Sequence, residues 1–495
     1  MLELHAPAEA VAWLQSRVTG ALRVDSRAIQ PGDGFIAWPG AATDGRKFVQ
    51  AALAQGASAC LVEQEGSAAF GFTSDAVASY TGLKASTGPI AAAYFKHPSQ
   101  QLDVLAVTGT NGKTSTTWWL AQALSKVQRY AQAPCAVVGT LGVGIPPDVL
   151  ATGLTTPDPV LLQNAFRGFV DLGLGACAIE ASSIGVVERR LDGTKIRVAV
   201  FTNFTQDHLD YHGSTEAYWQ AKEALFRWPD LQAAVVNVDD PQGSVLAASL
   251  SGLDVWTLSC AHSARLQARD IRYEAAGLSF EVVEGVQSCR LQSSVIGQYN
   301  VANLLGVIGT MRALGVPLDE AVRACDGLLP VPGRMDCLNP PGQPLVAIDY
   351  AHTPDALDKA LLALRPLAEA RGGKLWCVFG CGGDRDNSKR PLMAAVAEKN
   401  ADFVLVTSDN PRSERPEAII SQILLGLSHN ACVRVQSDRA EAIAEAIAQA
   451  APQDVVLLAG KGHEATQEVA GVKHPFSDKT HAEAALSQRA QGGQV

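Results

Sequence analysis

Apolar, β-branched runs recur along the chain, and each ends abruptly in polar or glycine-rich residues: DVLAVTG (103–109), ACAIEASS (176–183), VAVFTNF (198–204), AAVVNVDD (233–240), LVAIDYAH (345–352), KLWCVFGCGGD (374–384), DFVLVTSDNPR (402–412) and VVLLAGKGHE (455–464). Between them stand stretches such as TSTTWWLAQALSKVQ (114–128), PDALDKALLALRPLAEA (354–370) and AEAIAEAIAQA (440–450), whose apolar residues recur at spacings of three and four. That period predicts helices. A strand apolar on both faces needs cover on both, so the alternation predicts an α/β protein with parallel sheets. Ligands on such sheets gather at the carboxyl ends of the strands. The polar tails of the runs are therefore the candidate site.

The chain has 495 residues, which at roughly 150 residues per domain predicts about three domains. Pro- and Gly-rich punctuation at 88–102 and 328–344 sets the expected divisions at 1–98, 99–332 and 333–495. Hydrophobic residues make up 47% and charged residues 18% of the sequence, enough for real cores. The net charge of -10 argues against a nucleic-acid binder, which needs clustered Lys and Arg. The ten cysteines show no C-x-x-C or zinc spacing and are expected to be buried thiols. The start MLELHAPAEAVAWLQ lacks a signal-peptide pattern, and no run approaches the ~20 apolar residues of a membrane span. A cytoplasmic protein without a membrane partner is expected.

Residues 104–120, VLAVTGTNGKTSTTWWL, combine a strand, a glycine loop and a helix start. Gly112, Lys113 and Thr114 match the end of G-x-x-x-x-G-K-[ST], but Val107 stands at the first glycine position, so the loop is shorter than the usual phosphate loop. Gly109, Thr110, Asn111, Gly112 and Ser115 complete a backbone that can approach a polyphosphate. Lys113 brings a positive charge, and Thr114 a hydroxyl for a bound Mg²⁺. ATP binding is the better reading than a plain glycine turn.

Glu180 and His208 end or follow two other runs; singly either is an ordinary structural residue, and together they could complete a metal site. In STEAYWQAKEALF (214–226), Ser214 is a plausible N-cap. At 100° per residue, Ala217, Ala224, Ala221, Leu225, Tyr218, Phe226 and Trp219 fill one arc, with Lys222 inside it. A lysine there must be desolvated, paired or chemically altered. Desolvation favours the neutral amine, which can add CO₂ to give an anionic carbamate suited to magnesium.

With TGTNGKT (108–114), EASS (180–183), DHLDYHG (207–213), AYWQAKEALF (217–226), QYNVAN (298–303), GRMD (333–336), DYAHTPDAL (349–357), FGCGGDRD (379–386), SDNPR (408–412), GKGHE (460–464) and the N-terminal VDSRAIQPGDGFIAWPGAATDGRKF (24–48) in this order, the chain resembles the Mur ligases, ATP-dependent amino-acid-adding enzymes of cell-wall precursor synthesis. The resemblance implies a first domain for the uridine-nucleotide end of the precursor, a central mononucleotide-binding ATPase domain and a C-terminal Rossmann-like domain for the amino acid, acting as a monomer.

It further implies that Lys113, Glu180, His208 and Lys222 are catalytic, with Lys222 carbamylated and Thr114, Glu180, His208 and Lys222 holding magnesium. Asn303, Arg334 and Asp349 look like adenine-, phosphate- and ribose-side contacts of ATP. Val24, Ser26, Thr155, Thr156, Ser182, Glu188 and Arg190 look like contacts of a UDP-linked muramoyl dipeptide. Ile184 and Glu188 depart from the family pattern, where His and Gln are common. The implied chemistry is phosphorylation of a carboxylate to an acyl phosphate, which an amine then displaces. The absence of a G-x-S-x-G motif agrees with it.

Asp409, Asn410, Pro411 and Arg412 read blandly as a turn with an exposed charge. By resemblance, DNPR marks the branch that adds meso-2,6-diaminopimelate, with Arg385, Gly460 and Glu464 as further contacts. Arg412 can grip the extra carboxylate that distinguishes diaminopimelate from lysine, and faces lysine without a partner. The alternatives are ligases adding lysine or D-alanyl-D-alanine, a folylpolyglutamate-type ligase, and a nucleotide-gated switch that hydrolyses ATP without forming an amide.

Overall fold

The structure, a computed structural model, describes residues 1–40, 43–274, 277–428 and 432–492. Three large sheets follow one another along the chain. The first has five parallel strands in the order Leu2–Leu4, Val77–Tyr80, Ala59–Glu63, Gly34–Ala37, Leu22–Arg23. The second has eleven strands. Its middle is parallel, with Asp103–Thr108 between Val198–Phe201 and Ala176–Glu180. The third has six, with Leu345–Asp349, Val455–Ala459, Leu375–Phe379 and Phe403–Val406 parallel at its centre. All eight runs singled out by their apolar continuity contain strands of the second or third sheet.

The central strands are apolar throughout because both faces are covered. Leu105 and Val107 point into a core shared with the helices Lys113–Leu124 and Tyr299–Ala313, while Val104 and Ala106 join Phe166, Leu225 and Phe226 on the other face. Register then sets the site. Glu180 lies opposite Val107, and Phe201 opposite Thr108, so three strands end side by side at the glycine loop.

Two features depart from the sequence reading. The central sheet continues into antiparallel strands Leu266–Glu274, Gly277–Glu284 and Gln287–Ser293, which the search for apolar runs passed over. The helix carrying Lys222 runs Thr215–Glu223 and tightens to a 3₁₀ turn at Ala224–Arg227. Ala224, assigned to the buried arc, is therefore exposed, since the 100° step no longer holds. Ser214 caps that helix as expected, accepting from Ala217 N at 3.1 Å. Six of the ten cysteines are buried, and Cys260, Cys289, Cys337 and Cys432 are only partly so. Among the described residues no helix is long and apolar enough to cross a membrane.

Candidate active site

The glycine loop is fixed from the neighbouring strand. Asn203 accepts Asn111 N on its side-chain oxygen at 3.0 Å and Thr110 N on its carbonyl at 2.8 Å, while Thr202 Oγ1 donates to Asn111 O at 2.6 Å. The short glycine spacing follows from two close approaches. Gly109 sits at φ 147°, where a Cβ would lie 1.9 Å from Thr202 Oγ1; Gly112 sits at φ 84°, with Asn303 Oδ1 2.4 Å from a Cβ. Only glycine meets both demands of backbone angle and space. Val107, at the usual first glycine position, is instead a core strand residue.

Lys113 Nζ folds back onto Gly109 O and Thr110 O at 2.8 and 2.9 Å. Lys222, 1% exposed, donates to the same Gly109 O at 2.8 Å and stands 4.3 Å above the Tyr218 ring. Tyr218 hydroxyl reaches Thr110 Oγ1 at 3.2 Å. Burial, then the charge of Lys113, lowers the Lys222 pKa well below its ordinary value. The wheel-based expectation of an inward lysine holds. His208 packs edge-on to Tyr218 at 5.9 Å, next to Asp207 at 3.5 Å. Its pKa is lowered by burial first, against the opposing charge of Asp207, with both lysines adding to the shift.

Glu180, 1% exposed, accepts Thr114 Oγ1 at 3.1 Å, Thr140 N at 2.8 Å and Thr140 Oγ1 at 3.2 Å. A carboxylate beside a hydroxyl at the head of a phosphate loop is the oxygen-rich donor set that Mg²⁺ accepts while keeping waters and substrate phosphates. No group of three His, Cys, Asp or Glu among the described residues could hold a metal ion by itself. Thr114 bonds Glu180 directly, whereas His208 and Lys222 each pack against the Tyr218 ring.

One cavity of about 570 Å³ joins Lys113, Thr114, Glu180 and His208, though not the buried Lys222, to others from beyond residue 333. Thr110 to Ser115, Glu180, His208, Asn303, Arg334 and Asp349 all line it. Arg334 reaches Thr114 Oγ1 at 3.4 Å and stacks 4.5 Å from the Tyr350 ring. Asp349 accepts Met335 N and Ala351 N at 2.8 and 2.9 Å, and burial raises its pKa. Asn111 Nδ2 donates to Asp355 Oδ2 at 3.1 Å, linking the loop to the helix Pro354–Ala370.

The expected precursor residues lie partly outside that cavity. Thr155 lines it and meets Thr140 Oγ1 at 3.0 Å. Thr156 is 1% exposed and gives its one proton to Glu180 O at 2.7 Å, so in its 2.9 Å contact with Ser182 Oγ the serine is the donor. Both hydroxyl protons are spent inside the protein. Ser182 caps the next helix by accepting Gly185 N, and Arg190 donates to Thr156 O at 2.9 Å. Glu188 is held by Lys84 at 2.7 Å and Tyr211 at 2.5 Å. Val24 packs on the first core, and Ser26 opens a 3₁₀ turn capped by Asp25.

The expected amino-acid residues cluster at the ends of Phe403–Val406 and Val455–Ala459. Arg412, at φ 52°, donates to Gly383 O at 2.7 Å and lies 3.8 Å from Glu468. Arg385 is exposed and, among the described residues, donates to Asp384 O alone, at 3.2 Å. Asn410 donates to Glu464 Oε2 at 2.7 Å, its own backbone N reaches Asp409 Oδ1 at 2.6 Å, and Gly460 N reaches Asp349 O at 3.1 Å. Pro411 precedes Arg412 and is buried.

Sequence reasoning missed several supports. Arg439 and Asp478 form a fully buried pair at 2.6 Å, and Arg439 also donates to Ser408 O and Ala459 O, tying both amino-acid loops together. Asn203, Asp355 and Lys461 lie inside the quoted motifs VAVFTNF, DYAHTPDAL and GKGHE but were given no role there, and Thr140 had no signal beyond its position after a strand.

Family models match over most of the chain: Mur ligase family, catalytic domain, at 20–88; Mur ligase middle domain at 107–311; and Mur ligase, glutamate ligase domain, at 333–462. The chain belongs to the Mur ligase family. It is 64% identical over 486 residues to the UDP-N-acetylmuramoyl-L-alanyl-D-glutamate–2,6-diaminopimelate ligase of Acidovorax sp. (strain JS42), covering 97% of each chain. The enzyme of that name from Pseudomonas aeruginosa is 46% identical over 467 residues, covering 94% of each. A solved structure of a ligase with that name is 36% identical with a TM-score of 0.65, covering 95% of each chain. The MurF ligase from Thermotoga maritima in complex with ADP shares the fold at 20% identity and a TM-score of 0.65, covering 97% of this chain and 99% of that one.

Proposed function

We propose that this chain is an ATP-dependent ligase that adds meso-2,6-diaminopimelate to UDP-N-acetylmuramoyl-L-alanyl-D-glutamate in peptidoglycan precursor synthesis, working as a cytoplasmic monomer. The observation that carries the reading is the single cavity in which the phosphate loop, the Thr114–Glu180 pair and Arg334 meet. The 64% identity to a ligase of that name supports the choice of substrates. Residues 1–98, 99–332 and 333–495 are assigned to precursor, ATP and amino acid respectively.

The chemistry follows from what an amine and a carboxylate lack. A carboxylate has no adequate leaving group, so its oxygen first takes the γ-phosphoryl group of ATP and ADP leaves. The amine then attacks the acyl phosphate through a tetrahedral intermediate, and phosphate leaves. Lys113 has three donors and uses two on the loop, keeping the ammonium at the phosphates, where it offsets charge during transfer. Arg334 adds a second cation from the other wall. Thr114 and Glu180, with His208 and a carbamylated Lys222 nearby, would hold a magnesium ion, which would supply further charge neutralisation. Thr156 acts through Glu180, while Ser26, Thr155, Ser182, Glu188 and Arg190 face the nucleotide precursor.

Mass spectrometry of the product from ATP, the UDP-linked dipeptide and a mixture of diaminopimelate and lysine tests this reading. The expected product carries diaminopimelate. A lysine product overturns the substrate choice, and ATP turnover without a new amide overturns the ligase.

A further inference from the structure

Lys461 is fully buried, and its ammonium is spent within the protein. Nζ donates to Asn410 Oδ1 at 3.1 Å, Glu464 Oε2 at 2.7 Å and Thr466 O at 2.8 Å. An ammonium has three N–H groups, so none remains for a ligand. Asn410 sends its own amide to the same Glu464 Oε2 at 2.7 Å. That oxygen therefore carries two donors, whereas Oε1 of Glu464 accepts no hydrogen bond among the described residues. The Glu464 side chain keeps 28% exposure, so its open oxygen belongs to a surface that solvent or a ligand reaches.

The same frame extends to Arg412. Asn410 Oδ1 also accepts Glu468 N at 2.9 Å, and Glu468 O accepts Arg412 N at 3.0 Å. The Arg412 backbone and a half-satisfied carboxylate thus share one hydrogen-bonded scaffold, while the guanidinium is held by Gly383 O at 2.7 Å and lies 3.8 Å from Glu468. In charge, a guanidinium and a carboxylate match a carbon bearing both a carboxylate and an ammonium.

We infer that Lys461 is a positioning residue for amino-acid selection: by saturating one oxygen of Glu464 it presents the other as a one-sided acceptor for the distal ammonium of the incoming diamino acid, at a set place relative to Arg412. This rests on the diaminopimelate reading above. Without Lys461, Glu464 is held only by Asn410 and swings toward water, and the ammonium loses a charge-assisted hydrogen bond.

The test compares diaminopimelate with 2-aminopimelate, which keeps both carboxylates and lacks the distal amine, for the wild type, K461M and E464Q. The wild type should prefer diaminopimelate by about 100-fold in kcat/KM, the scale of a buried charge-assisted contact left unmade. Both variants should reduce that preference to about fivefold or less. For K461M, kcat/KM for 2-aminopimelate and KM for ATP should stay within about threefold of wild type. Equal loss of both amino acids in K461M overturns the inference, because the lysine then only supports the fold. Full preference retained by E464Q overturns it however K461M folds. A wild type that forms no amide with diaminopimelate removes the functional reading and this inference together, an outcome distinct from a ligating wild type whose variants keep its preference.

Discussion

Lys113 and Lys222 donate to one acceptor, the carbonyl oxygen of Gly109, each at 2.8 Å. Two ammonium groups at one oxygen repel, and the one farther from water yields its proton more readily. Lys222 is that one: burial and then Lys113 lower its pKa well below its ordinary value. The neutral amine is the form whose lone pair adds CO₂; one N–H proton is then released, and the resulting carbamate would stand as an anion beside the Lys113 ammonium.

Lys222→Ala should therefore remove ligation by about a thousandfold or more while the fold persists, the scale of losing a main source of transition-state charge stabilisation. Product formation and thermal unfolding, measured together, check this. Full activity in the variant would remove the carbamate from the mechanism.

Gly109→Ala should weaken nucleotide binding. The added Cβ falls 1.9 Å from Thr202 Oγ1 at φ 147°, so the loop must shift and carry with it the acceptor shared by both lysines. A rise of about tenfold or more in KM for ATP is expected, read in steady-state kinetics with the precursor and diaminopimelate saturating.

Arg412→Ala should raise KM for diaminopimelate by about 30-fold or more and leave KM for the precursor nearly unchanged, as expected for losing a bidentate charge-assisted contact. Equal losses for both ligands would count against a direct carboxylate clamp.

Acid sensitivity is built in near the same site. Arg390, 1% exposed, holds both oxygens of Glu414 at 2.8 and 2.9 Å, and this guanidinium contact lowers the Glu414 pKa from 4.5 to about 2. A depressed carboxylate stabilises the fold fully above its unfolded pKa and loses that contribution as pH falls through the folded value. Between pH 4.5 and about 2 the wild type should lose stability more steeply than Glu414→Gln. Thermal unfolding across that window checks the slope, and parallel curves would show that the pair is not linked to stability.

The strands that bear the site were legible because residues such as Val104 to Val107 must be apolar on both faces. The strand Gln287–Ser293 was not, since its polar residues face water and only Leu291 and Ser293 are buried. Lys222 was legible because a helix repeats regularly, and Ala224 was misjudged where that repeat tightened to 3₁₀. Lys461 stood inside the quoted motif GKGHE, but its role was hidden: a lysine in a glycine loop reads as exposed until strands distant in sequence enclose it.

The sequence by itself determined the alternation of strands and helices, the glycines of the phosphate loop and the inward lysine, because these follow from local periodicity and backbone freedom. Only the tertiary structure decided that Lys113 and Lys222 share Gly109, that Thr156 spends its proton on Glu180 and that Lys461 saturates half of Glu464. Those relations depend on where separate strands end beside one another, and strand register is fixed by packing across the sheet rather than by neighbours along the chain.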